Sequence, residues 1–127
     1  MSDLAEFDRL APVIARALPY TGHAYTVDDV RDLVRTGRAF LWPGVRSAVV
    51  TQVVEYPRVK ELYFFLAAGD LGEVERLYQI ILAWGRAQGC TRAAFVGRAG
   101  WQRTFLTKKE GWSPQAVVYV KELSSHG

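Results

Sequence analysis

The stretch from residue 62 to residue 96 constrains the fold more than any other, because it reads as strand, helix and strand in close succession. The run LYFFLA at 62–67 predicts a buried strand, and residues 71–88 carry apolar side chains at helical spacing. Gly89 stands where a glycine commonly supplies positive φ after a helix, and AAFV at 93–96 predicts a second strand. Two strands joined by a helix are expected to lie parallel, with a right-handed crossover between them.

Two helices are predicted near the N-terminus. Ser2 is a candidate cap for the first, and Pro12 is expected either to kink that helix or to start a new one. Thr26 and Asp29 have the spacing of an approximate capping box for the second helix, which Gly37 should end. Apolar residues at helical spacing give both segments one face to bury.

Three strands are predicted between the second helix and the crossover, at residues 39–42, 45–56 and 59–67. Proline-containing turn signals separate them, so they should form an antiparallel meander. After residue 96, the sequence GRAGW at 97–101 is expected to open a further helix that Gly111 ends. The valine-rich run at 115–123 then predicts a last strand.

These segments predict an α/β fold with a mixed sheet in a single domain, residues 1–127. Its order is two N-terminal helices, an antiparallel meander, and then strand, helix, strand, helix, strand.

Composition indicates where the protein is located more than what it does. The only cysteine, Cys90, excludes an intrachain disulfide and indicates a reducing, cytoplasmic location; it is expected to be a small buried side chain rather than a nucleophile. With His23 and His126 it gives no zinc-binding spacing, so no metal is expected. No membrane span is expected, because no run approaches the roughly 18 apolar residues that one needs. The acidic start of the chain does not resemble a secretory signal.

The order of the predicted elements, carried by residues 62–123, resembles the GNAT-type N-acetyltransferase superfamily. The strand ending at Ala67 and the helix starting near Leu71 are similar to the family's acetyl-CoA-binding turn, and Gly111–Trp112 resemble the glycine–aromatic pair after its fourth helix. AQGC together with GRAGWQR is also similar to small GNAT-like proteins encoded by phages and prophages. The resemblance implies a GNAT-like acyl-CoA N-acyltransferase fold that lacks the usual first strand.

The family marks its cofactor turn with Gln or Arg, two residues, Gly, one residue, and Gly or Ala. If Gly72 is the last of these, the other two positions fall on Ala67 and Asp70, and only Gly72 agrees. Asp70 and Glu73 would place two negative charges beside a pyrophosphate. Their spacing predicts instead that Asp70 caps the helix and that Glu73 completes a capping box. The candidate cofactor-binding residues, by resemblance and proximity, are Ala67, Gly69, Gly72 and Arg76.

The family's usual general acid, a tyrosine on the fourth helix, has no counterpart here. The matching position is near Thr107, and a threonine hydroxyl is a much weaker acid than a phenol. Tyr119, on the predicted last strand, and Glu55, beside a turn, are the other candidate catalytic residues. Tyr63 and Tyr78 are further substitutes whose expected role is packing.

A cluster of basic and aromatic residues is a candidate for partner binding, because Arg and Trp are enriched at protein interfaces. Such a cluster can also stack on nucleic acid, and Lys108 and Lys109 add to its charge. Alternatively, its tryptophans face the core and its charges face water. The cluster consists of Arg98, Trp101, Arg103 and Trp112.

Two classes of function follow. The first is a binding or assembly protein with a protein partner, for example in a phage-type particle, that retains the fold with a degraded acetyl-CoA site and no expected cofactor. The alternative is an acetyl-CoA-dependent N-acyltransferase acting on a small amine. Asp70 and Thr107 favour the first class, the resemblance favours the second, and nucleic-acid binding ranks third.

Overall fold

The computed structural model describes residues 3–97 and 109–123. These residues fall into two compact units, one up to Phe95 and one from Val96 onward. The described part of the first unit contains, in order, α1 (Asp3–Ala17), a 3₁₀ helix (Leu18–Thr21), α2 (Val27–Arg35), β1 (Phe40–Pro43), β2 (Ala48–Glu55), β3 (Lys60–Ala68), α3 (Leu71–Ala87) and β4 (Arg92–Ala94).

The two predicted N-terminal helices are confirmed, and the predicted cap at Ser2 lies outside the described residues. α1 is one helix with Pro12 inside it, so no new helix starts there. The capping box of α2 is complete: Asp29 N–H donates to Thr26 Oγ1 at 3.1 Å, and Thr26 N–H donates to the Asp29 carboxylate at 2.9 Å. Gly37 follows α2 with a φ of 76°.

The four strands form one mixed sheet in the order β1-β2-β3-β4. β1, β2 and β3 pair antiparallel, which confirms the predicted meander. β4 pairs with β3 in parallel, with Leu62 opposite Ala93, and α3 connects the two strands. The predicted crossover unit is therefore confirmed, and Gly89 has the expected positive φ of 90°. β4 ends at Ala94, two residues earlier than predicted.

β3 contains a bulge that divides its side chains between two cores. The register shifts between Val50 and Thr51, which face Leu66 and Phe64, so Phe65 is the extra residue. Phe65 and Leu66 both pack into the core under α1 and α2, whereas Leu62 and Phe64 pack into the core under α3. β3 therefore contributes side chains to the cores on both faces of the sheet.

In the second unit, the predicted strand at 115–123 is wrong: these residues adopt no regular secondary structure. β-branched composition favours a strand, but a strand persists only when a neighbour pairs with its backbone. The side chains of this segment are instead 63–90% exposed at Val117, Val118, Tyr119 and Val120.

Most of the predicted helix that opens at 97–101 falls on residues 98–108, outside the described residues. Gly111 has the positive φ of 76° expected at the end of that helix.

Candidate functional site

The turn between β3 and α3 is the part of the chain that the family resemblance identifies as a cofactor site. Asp70 is the N-cap of α3, and its carboxylate accepts a hydrogen bond from Glu73 N–H at 3.0 Å. This confirms the predicted cap. The first turn of a helix offers N–H groups without intrahelical acceptors, and these are the groups with which a phosphate would be bound. Asp70 therefore places a carboxylate of the chain itself at the candidate anion site.

Glu73 does not complete the capping box, so that part of the prediction is wrong. Its Oε1 accepts hydrogen bonds from Arg46 N–H at 2.9 Å and from Ser47 Oγ at 2.5 Å, across 26 and more residues of sequence. The hydrogen bond from Ser47, followed by that from Arg46, holds the pKa of Glu73 below its ordinary value. The carboxylate is used to anchor the β1–β2 turn, residues 44–47, to the start of α3.

The β1–β2 turn is also held from its other side. The Arg9 guanidinium on α1 donates to the carbonyl oxygens of Gly44 and Val45, each at 2.8 Å, and pairs with Glu6 at 2.6 Å. Ser47 is completely buried. Side-chain to backbone hydrogen bonds therefore join α1, the β1–β2 turn and the start of α3 to one another.

The two glycines of the β3–α3 turn have different surroundings. Gly69 has a φ of 109°, and a Cβ there would lie 2.6 Å from Ser47 Cα and closer still to the Arg46 carbonyl oxygen. Gly72 is less crowded: a Cβ there would lie 3.2 Å from the Asp70 carboxylate, which would have to shift slightly, and 3.7 Å from Arg76 Nη1. Gly69 is explained by the close approach of the β1–β2 turn, whereas the space at Gly72 is limited by the Asp70 carboxylate.

The fourth candidate cofactor residue, Ala67, does not face the turn. It pairs with Val49 and packs, half-buried, into the core under α3. The parallel ladder of β3 and β4 ends at the Tyr63–Ala94 pair, whereas β3 continues to Ala68. The part of β3 after Tyr63 therefore does not pair with β4, and an extended ligand would need such an unpaired stretch of backbone. The helix end itself carries the Asp70 carboxylate, a negative charge at the place where a pyrophosphate would bind.

Of the candidate catalytic residues, only Glu55 is described in the same unit as this turn, and it lies away from it. Glu55 lies at the opposite end of the β2–β3 hairpin, roughly 20 Å along the strand, and forms an ion pair with Lys60 at 3.6 Å. Tyr119 belongs to the second unit and is 90% exposed, and Thr107 lies outside the described residues. Of the two further tyrosines, Tyr78 is buried and packs on Phe64, with ring centroids 5.8 Å apart, and Tyr63 lies on β3.

Of the candidate partner-binding cluster, only Trp112 is described, and it is half-buried in the second unit. Arg98, Trp101 and Arg103 lie outside the described residues.

Cys90 is half-buried against the core under α3, and burial raises the pKa of its thiol, which disfavours a nucleophilic thiolate. Within residues 3–97 and 109–123, no group of three or more His, Cys, Asp or Glu could hold a metal ion. No helix in that part of the chain is long and apolar enough to span a membrane.

Sequence reasoning missed three contributors to the site: Arg9, Ser47 and the bulge at Phe65. The first two act across more than 20 residues of sequence, so no local spacing could indicate them. The Phe65 ring packs edge-on against Tyr25, from the loop before α2, with ring centroids 4.8 Å apart. A pair of aromatic residues is a weak signal for such a contact, and nothing in the sequence indicates the bulge.

No family model and no curated protein matches the chain. Solved structures do match it over almost its whole length. A probable acetyltransferase superposes with a TM-score of 0.71 at 11% identity, covering 96% of this chain and 95% of that one. An aminoglycoside acetyltransferase from an uncultured soil metagenomic sample, in complex with sisomicin, gives 0.69 at 12% identity, covering 96% and 91%. A GCN5-related N-acetyltransferase from Ralstonia eutropha gives 0.66 at 16% identity, covering 94% of each chain.

The chain has the GNAT fold. The identities of 11–16% establish the fold and not the activity. β3 and α3 are the strand and the helix that the sequence resemblance compares with those flanking the family's cofactor turn. The fold predicted from the sequence is confirmed, and the activity has to be argued from the site.

Proposed function

We propose that this GNAT-fold chain acts by binding or assembling with a protein partner, and that its acetyl-CoA site is degraded and supports no turnover. The observation that carries the proposal is the Asp70 carboxylate, which caps the helix end where the pyrophosphate would bind. A phage-type particle is one assembly that such a protein would serve, as its resemblance to phage-encoded proteins implies.

The physical argument concerns competition for the same N–H groups. A pyrophosphate at this helix end would have to displace Asp70, at a loss of about 1 kcal/mol for the cap. The displaced carboxylate would remain tethered beside the ligand, where like charges a few ångströms apart repel. We therefore expect acetyl-CoA to bind with a Kd above ~1 mM, a free energy no better than about −4 kcal/mol.

The alternative is an acetyl-CoA-dependent N-acyltransferase acting on an amine. One observation favours it: the guanidinium of Arg76 lies over the first turn of α3, with Nη1 3.7 Å from the position of a Cβ on Gly72. A cation there would offset part of the repulsion from Asp70. Solved structures of the same fold include acetyltransferases, which makes this the function to test against the first.

The deciding experiment is a calorimetric titration of the wild type, Asp70→Asn and Asp70→Ala with acetyl-CoA and with S-acetylpantetheine, which lacks the pyrophosphate. Asn caps helices about as well as Asp, so Asp70→Asn removes the charge and keeps the cap. We expect Asp70→Asn to improve acetyl-CoA binding and to leave S-acetylpantetheine binding unchanged. A micromolar Kd for the wild type, or release of free CoA in the presence of amines, would establish the enzyme instead.

A further inference from the structure

We draw no further inference here: the strongest candidate, the apolar surface patch of Phe40 on β1 with Ile80 and Trp84 on α3, carries none because nothing in the structure shows what covers it.

Discussion

The substitution Gly69→Ala tests whether the glycine of the cofactor-like turn serves packing within the chain. The new Cβ would lie 2.6 Å from Ser47 Cα, a backbone atom that cannot rotate away, at a residue with a φ of 109°. An unfavourable φ of this kind costs about 1–3 kcal/mol, and overpacking costs about 1–3 kcal/mol more. We therefore expect a loss of about 4 kcal/mol, a large part of the 5–15 kcal/mol that stabilises a typical domain.

Gly37→Ala is the matched control, because Gly37 also has a positive φ, 76°, but a Cβ there would meet nothing within 4 Å. It should lose only the conformational part, about 1–2 kcal/mol. Urea unfolding followed by tryptophan fluorescence gives both free energies of unfolding by linear extrapolation. Equal losses in the two variants would refute the close approach of the β1–β2 turn to Gly69.

Three smaller predictions concern the start of α3. Asp70→Ala should lower the free energy of unfolding by about 1 kcal/mol, because Glu73 N–H loses its acceptor, whereas Asp70→Asn should stay within ~0.5 kcal/mol of the wild type; equal urea midpoints for the Ala variant and the wild type would contradict the cap. Gly72→Ala should change the free energy of unfolding by less than ~1 kcal/mol, because alanine favours the helix but its Cβ would lie 3.2 Å from the Asp70 carboxylate, which has to shift. A loss above ~1 kcal/mol in the same assay would show that the Asp70 carboxylate cannot shift. Because the pKa of Glu73 is lowered in the folded chain, its contribution is present above the ordinary value of 4.5 and is lost as the pH falls through the folded pKa. Glu73→Gln should flatten the decline of the urea midpoint in acid, and Asp8 and Asp29, whose pKa values are also lowered, should retain part of it; an unchanged pH profile would count against the anchor.

Local patterns allowed much of the fold to be predicted. The capping box at Thr26 and the cap at Asp70 depend on residues three positions apart, and the crossover follows from the order of strand and helix. The contacts of Glu73 and Arg9 with the β1–β2 turn could not be predicted, because they join residues 26 to 36 positions apart. The strand predicted at 115–123 failed for a related reason. Composition gives a segment its tendency to form a strand, but only a neighbouring strand allows it to form.

The family motif at the β3–α3 turn also depends on contacts that a local pattern does not show. A glycine in a phosphate-binding turn and a glycine against a neighbouring backbone look identical in a sequence, because both positions need a residue without a side chain. Gly69 has the second explanation, since the β1–β2 turn occupies the space that a Cβ would need. Gly72 is consistent with either, and the residue that separates the two readings is Asp70, whose carboxylate takes the N–H group that a phosphate would use. The glycines of this turn alone are therefore weak evidence for a cofactor site. The residue between them, Asp70, favours a helix cap over an anion site.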